Sequence, residues 1–398
     1  MSRTERAPRP LTARGGQSMQ NPLRNPGGIG EIDMGRSEPV VPPGRKLRIL
    51  EVGNHRLFDA AIPDQTDYFY AGTRASRHRP LGPIRFWRAL RQLRRGDYDL
   101  LVLHAARFAP WHPRTFLGIL RSHHINAFSW LFAPYGWWLL HRFHHVPIAA
   151  VDLSDTFGIG PHNFGLIDRC RLFFKRELPQ DRWQVFFKSG HWDLPGRRWR
   201  ARPTHQRRLA KLRPISLGAL RFPVTVDVPK TTDVFFAGDL FRATTLRSDG
   251  IPELRALEAE GYKIDLPEGD VPYHEYLKRL AGAWLAWSPA GYGWDCTRHY
   301  EAAALGSVAL INYPTILRDR PFIDGEHCLF YAPEPGALAK AVREALADKK
   351  RLERIAAAAR EHLHAHHTLQ ARAERVAIAI LGRKLDGSVA TTDASVGG

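Results

Sequence analysis

Cysteine is scarce in this chain. The three present, Cys170, Cys296 and Cys328, form no CxxC pair, so neither a disulfide framework nor a thiol redox motif is expected, and a reducing cytoplasm fits. A long apolar run is also missing. The most hydrophobic stretch, 125–140, is too short to span a bilayer and is interrupted by Pro134 and Gly136. Residues 1–44 lack the continuous apolar core of a secretory signal. They are rich in Pro, Gly and Arg without apolar periodicity and read as a disordered tail, as does 383–398. There is no Gly-x-Ser-x-Gly elbow, no Walker loop and no repeat at a solenoid period.

Acids are in deficit too. Lys and Arg number 58 against 40 Asp and Glu, a net charge of +18. The tail holds six Arg against four acids, so the excess lies in the folded body. The run 197–213 carries eight basic residues and no acid. It reads first as a solvated connector at a domain joint, and second as a surface for anionic lipid, acidic glycan or nucleic acid. The aromatic stretch 125–140, followed by His141, Arg142, His144 and His145, reads first as core or an acceptor pocket. Peripheral contact with an anionic membrane is its second reading.

What is present is enough chain for two domains, with 44% apolar residues to fill them. Strands are predicted at Lys46–Gly53, Asp67–Gly72, Tyr98–His104, Val146–Asp152 and Arg171–Arg176. A helix over Ile84–Arg95 sets Ile84, Trp87, Leu90 and Leu93 on one face. After the basic run the alternation restarts: a strand at 234–237, a helix at 251–260, a strand at 262–265, a helix at 273–283. Strands alternating with long crossovers argue for parallel sheets flanked by helices.

The densest pattern runs from Ala283 to Ile311. An apolar strand, Ala283–Trp287, leads into a turn with Gly291 and Gly293. The turn opens a helix whose first turns carry Asp295, Arg298, His299 and Glu301, and Gly306 separates that helix from the strand Val308–Ile311. Ligands of such units sit beyond the carboxyl end of the strand. The helix start there offers free N–H groups and a positive dipole end.

This stretch resembles the donor-binding segment of GT-B glycosyltransferases of the broad group 1 class: Gly291, Gly293, Glu301, Ala302–Ala304, Gly306 and Val308–Ile311. Lys230–Asp239 resembles the first strand and glycine turn of that domain, and Arg351–Leu381 its closing helices. The resemblance is good over 224–381 and looser over 45–223. It implies an α/β fold of two Rossmann-like parallel-sheet domains facing across a cleft. The acceptor-side domain would be 45–223, the nucleotide-sugar domain 224–360, and a helix at 361–382 would cross back. It implies transfer of a sugar from a nucleotide-diphosphate sugar to an acceptor hydroxyl. A nucleotide-sugar epimerase or hydrolase on the same fold, and a non-catalytic polyanion- or membrane-binding protein, are the rivals.

By that resemblance Glu301 binds the ribose hydroxyls, with Gly291, Tyr292 and Gly293 close to the donor. Arg242 and Arg247, after Gly238, resemble a diphosphate clamp; with Arg298 they would hold the leaving group with no metal or other cofactor. Many retaining members carry a second glutamate where this chain has Gly293, so that sugar contact is missing or supplied by Asp295. Asp155, just past a strand, is the candidate general base, with His104 its rival. Lys175, Arg176 and Glu177 serve cleft electrostatics or a structural ion pair. Asp97-Tyr-Asp99 spells a metal-binding DxD but precedes its strand, the wrong end for a ligand. His362, His364, His366 and His367 have zinc-like spacing with no completing carboxylate or cysteine, and read as a His-rich helix. The expected partners are a nucleotide sugar and a glycan or lipid-linked acceptor of the cell envelope. No nucleic acid is expected, and the site of action is the cytoplasm or the inner face of the membrane.

Overall fold

The computed structural model describes residues 45–72, 76–122, 127–188, 197–198, 203–219, 226, 228–238 and 244–390. The tail 1–44, Arg242 and most of 189–202 lie outside these. The first half contains β1 (Ile49–Gly53), α1 (Phe58–Ala61), β2 (Thr66–Tyr70), α2 (Pro83–Arg95), β3 (Leu100–His104), α3 (Pro113–Ser122), α4 (Ala127–Leu140) and β4 (Ile148–Asp152). It continues with α5 (Phe164–Arg169), β5 (Leu172–Lys175), a short antiparallel pair β6 (Phe187–Lys188) and β7 (Arg197–Arg198), α6 (Pro203–Ala210) and β8 (Leu212–Pro214). Its sheet is parallel, in the order β2-β1-β3-β4-β5-β8. Every residue of β1, β3 and β4 is buried, because helices cover both faces.

The second half contains β9 (Thr232–Phe235), α7 (Thr245–Ala259), β10 (Ile264–Asp265), α8 (Tyr273–Ala281), β11 (Ala283–Trp287), α9 (Thr297–Leu305), β12 (Val308–Asn312), β13 (Leu329–Tyr331), α10 (Ala337–Leu346), α11 (Lys349–His366) and α12 (Leu369–Leu381). Its parallel sheet runs β10-β9-β11-β12-β13. The fold class is α/β with two parallel sheets. Lys230 staples the second sheet: its ammonium donates to the carbonyls of Ala281, Ala283 and Gly306 and to Ser307 Oγ. The last helix, α12, is capped by Thr368, whose Oγ1 accepts from the Ala371 N–H. It packs Ala373, Val376, Ala377 and Ile380 against Ile49, Val102 and Val151 of the first sheet.

Four local expectations are corrected. The buried face of α2 is Phe86, Ala89, Leu90 and Leu93, whereas Ile84 and Trp87 are 78% and 62% exposed. The set Phe86, Ala89, Leu90, Leu93 follows the i, i+3, i+4, i+7 stripe more closely than the mixed set read from the sequence. Part of the basic run is no connector. Residues 203–214 build α6 and the edge strand β8, where Arg208 makes a paired contact with Asp168 and Lys211 Nζ donates to the carbonyls ending α5. Residues 383–390 are ordered: Leu385 is buried and Arg383 bridges Val389. Helix α7 begins at Thr245, six residues before the start at 251 expected from the sequence.

Candidate functional site

Strands β9 and β11 are neighbours, and the loops beyond their carboxyl ends carry two arginines into one place. Arg298, in the first turn of α9, is 7% exposed and packs its guanidinium 4.6 Å from the centre of the Phe236 ring. Arg247, in the first turn of α7, is equally buried and lies 5.7 Å from the same ring. The two glycine turns lie against them. A Cβ on Gly238 would stand 2.8 Å from Arg298 Nη2, and one on Gly291 2.8 Å from Arg247 Nη2. So Gly238, Arg247, Gly291 and Arg298 converge, while Arg242 lies outside the described residues.

Arg298 spends one N–H on the Ala237 carbonyl, at 3.0 Å. Its Nε and Nη1 are buried without a partner, as is Ser288 Oγ at the end of β11. A buried cation with unmatched donors costs free energy unless an anion completes it. Two cations, two glycine turns and two helix starts form a cradle for a phosphate-like anion.

Glu301 lies one turn further along α9. Each of its oxygens accepts from a tyrosine of α8: Oε2 from Tyr276 at 2.8 Å and Oε1 from Tyr273 at 3.3 Å. The tyrosine rings are stacked, and burial followed by the Glu301 charge raises the Tyr276 phenol. The carboxylate is thereby oriented and retains lone pairs for ligand hydroxyls. Tyr292 is exposed on the loop before it.

Asp295 precedes the helix rather than opening it, since Cys296 is the residue flanking α9. It points into the joint between the halves. Its carboxylate accepts from the Leu217 N–H at 2.5 Å and the Tyr300 hydroxyl at 2.6 Å. Arg176 donates to its carbonyl. The space beside Gly293 is filled from the other half by Glu177. Its two oxygens accept from the Trp294 and Asp295 N–H groups at 2.9 and 3.0 Å, and Arg176 Nε stands 3.4 Å away. Burial pushes the Glu177 carboxyl up from 4.5 to about 7, against the pull of Arg176 and the two N–H donors. A Cβ on Gly293 would lie 2.5 Å from Glu177 Oε1. Gly293→Ala is therefore expected to destabilise the protein by about 1–3 kcal/mol in urea unfolding. An unchanged midpoint would show that the joint is looser than this contact implies. The sequence pointed to Glu177 only as part of a charged triplet; its partner, more than a hundred residues away, left no local trace.

At the carboxyl end of the first sheet, His104 Nε2 lies 2.7 Å from Glu51 Oε1. Glu51 is fully buried and also accepts from the N–H groups of Leu57 and Asp59. Nδ1, on the other side of the ring, is buried without a partner. His55 lies beside it, 5.6 Å between ring centres, and burial lowers its pKa to about 4. Neither Glu51 nor His55 stood out in the sequence. Asp155 is half exposed and paired with Arg176 at 2.6 Å; Asp152 is buried against Lys175 at 2.8 Å. Asp99 ties the opposite end of β3 to Arg45 and to the Arg48 N–H. In α11 the His362 ring packs with Phe322, His327 and His366, and no three metal-ligating side chains converge among the described residues.

Comparison with known proteins bears on the half that holds the cradle. Residues 261–377 match the family model described as glycosyl transferase-like. The resemblance read from the sequence is to glycosyltransferases, and it stands. No curated protein matches the chain. Among solved structures, sucrose-phosphate synthase from Thermosynechococcus elongatus is 15% identical, with 82% of this chain and 97% of that one covered and a TM-score of 0.48. Anabaena Alr3699/HepE in complex with UDP-glucose is 11% identical, with 83% and 98% covered and a TM-score of 0.44. An alpha-glucosyltransferase in complex with UDP-glucose and DNA containing an abasic site is 9% identical, with 81% and 96% covered and a TM-score of 0.47. The glycosyltransferase-like segment takes in α8, β11, the Gly291–Gly293 turn, α9 with Arg298 and Glu301, β12 and most of the closing helices.

Proposed function

We propose that the protein is a glycosyltransferase whose second half binds a nucleotide-diphosphate sugar and whose first half presents an acceptor hydroxyl. The observation that carries this is the Arg298 guanidinium, buried beside Arg247 over Phe236 with two donors unmatched. In this reading the diphosphate completes those donors and Glu301 receives the ribose hydroxyls. The acceptor oxygen attacks the anomeric carbon, the bond from that carbon to the diphosphate oxygen breaks, and the diphosphate departs with the electron pair. The acceptor proton passes to a base of the first half. His104 Nδ1 and the Asp155 carboxylate are the two candidates. The arginines and the helix dipole balance the leaving charge, so we propose that turnover needs no metal. A cell-envelope glycan or lipid-linked acceptor at the inner face of the membrane completes the proposal.

The test is thermal unfolding with UDP, GDP, ADP, CMP and dTDP, each with and without EDTA. One diphosphate is expected to stabilise selectively, by about 2.7 kcal/mol when present at about 100 times its dissociation constant. EDTA should leave that shift intact. Glu301→Ala is expected to weaken the same ligand by about tenfold, one or two hydroxyl hydrogen bonds. Stabilisation by none of the five would overturn the donor-site reading.

A further inference from the structure

The first half carries a surface whose composition the donor site does not explain. Helices α2 and α4 lie on one side of the first sheet, opposite α1 and α12, and α3 packs on α4. Their inner residues join the core: Phe86, Leu90 and Leu93 of α2, with Ala133, Trp137 and Leu140 of α4. Their outer residues include large apolar side chains left in solvent, namely Ile84, Trp87, Phe116, Leu120 and Phe128, with Phe128 at 73% exposure.

Contacts beneath these side chains bring the three helices together. The Phe86 ring meets both Trp87 and Phe132, at 5.3 and 5.5 Å, and Gly82 abuts Ser129, so the first turn of α2 sits beside the start of α4. Ile119 of α3 packs with Trp130 of α4. Arg94 Nε donates to the Phe143 carbonyl, so the far end of α2 lies beside the turn that follows α4. Large apolar side chains left exposed on adjoining helices mark an interaction site.

The charge around it has one sign. Residues 76–148 contain eleven arginines and two acids, Asp97 and Asp99, and Asp99 is buried in its bonds to Arg45 and Arg48. On α2, Arg88, Arg91 and Arg95 continue the stripe that Ile84 begins, at helical spacing, and all three are exposed. An apolar tip with a cationic flank and aromatic rings matches the headgroup–acyl boundary of a bilayer that carries negative charge. No helix among the described residues is long and apolar enough to cross a membrane, so contact along this face is lateral.

We propose that the α2–α3–α4 face docks on an anionic lipid bilayer, with Ile84, Trp87 and Phe128 at the hydrocarbon edge and Arg88, Arg91 and Arg95 among the headgroups. The proposal assigns membrane contact to this face and not to the basic run 197–213, whose Arg208 and Lys211 are engaged inside the first half. It does not depend on the donor-site reading, because lipid binding is measured without nucleotide.

The experiment is flotation of the full chain with vesicles of phosphatidylcholine alone and with roughly a third phosphatidylglycerol. Binding at least about tenfold tighter to the anionic vesicles, weakening with salt, is expected. Trp87→Ser with Phe128→Ser should reduce it about tenfold or more, and Arg88→Glu with Arg91→Glu should remove the anionic preference. All four side chains are exposed, so unchanged thermal unfolding separates these losses from misfolding. Three results would overturn the proposal. One is binding to neither vesicle. Another is self-association abolished by the Trp87/Phe128 pair without lipid binding, which would make the face a contact between copies. The third is binding of duplex DNA, lost with the arginine pair, without lipid binding.

Discussion

Replacing Arg298 by methionine is expected to leave the empty protein as stable as before or more so, and to abolish its response to nucleoside diphosphates. In the ligand-free state the guanidinium is buried with two donors unmatched, and its hydrogen bond to the Ala237 carbonyl and its packing over the Phe236 ring offset only part of that cost. Exchange of a poorly matched buried ion for an apolar side chain is neutral or stabilising, by about 1–4 kcal/mol, and losing the one hydrogen bond gives back about 1.5–3 kcal/mol. Methionine also retains contact with Phe236. Ligand affinity behaves oppositely. Two charge-assisted hydrogen bonds to a diphosphate account for about 3 kcal/mol or more, so affinity should fall at least about 100-fold. Unfolding of the variant with and without the diphosphate identified for the parent reads both effects. A variant that unfolds early, or that still binds as the parent does, would show that Arg298 serves the fold and not a ligand.

The second large effect belongs to Glu177. Glu177→Ala removes the acceptor for two buried backbone N–H groups, those of Trp294 and Asp295, and leaves Arg176 facing Asp295 and Asp155 alone. A loss of about 2–6 kcal/mol is expected, about 1–3 kcal/mol for each buried N–H left without an acceptor. Glu177→Gln keeps one acceptor oxygen and should cost less. It also isolates the titration. The folded-state pKa of Glu177, about 7, lies above its ordinary 4.5, so the folded protein holds a proton that the unfolded chain releases. Stability from this group is therefore complete below about 4.5 and is lost as pH rises towards 7, by up to about 3 kcal/mol. Asp295 is displaced in the same direction by burial. The difference in unfolding free energy between parent and Glu177→Gln should slope downward from pH 4.5 to 7. A flat difference would mean that Arg176 and the two N–H donors hold Glu177 ionised throughout.

Much of the fold was legible because its signals are local. Buried strands such as Leu100–His104 read as apolar runs, and Gly306 ended α9 where its left-handed backbone favours glycine. The glycine turn, Arg298 and Glu301 were visible for the same reason: they fall within eleven residues between a strand and a helix. Local reading failed where packing chose among several permitted faces. On α2 both Ile84 and Phe86 begin plausible apolar stripes, and only the position of α4 decides which is covered. The basic run looked like a solvated linker because charge hides a short edge strand. Asp168 and the carbonyls of α5 that receive its Arg208 and Lys211 lie forty residues earlier.

By itself, then, the sequence determined the alternation of strands and helices, the excess of positive charge, and the strand–glycine turn–helix unit that carries Arg298 and Glu301. Those follow from periodicity, turn chemistry and composition, which act over a few residues. Tertiary structure decided that Arg247 and Arg298 share one aromatic ring, that Glu177 from the first half fills the space left by Gly293 in the second, and that Glu51 meets His104 at hydrogen-bond distance. Each of these joins groups about fifty to more than a hundred residues apart. Such pairs are selected by burial and hydrogen-bond matching across the packed interior, which no stretch of the chain encodes alone.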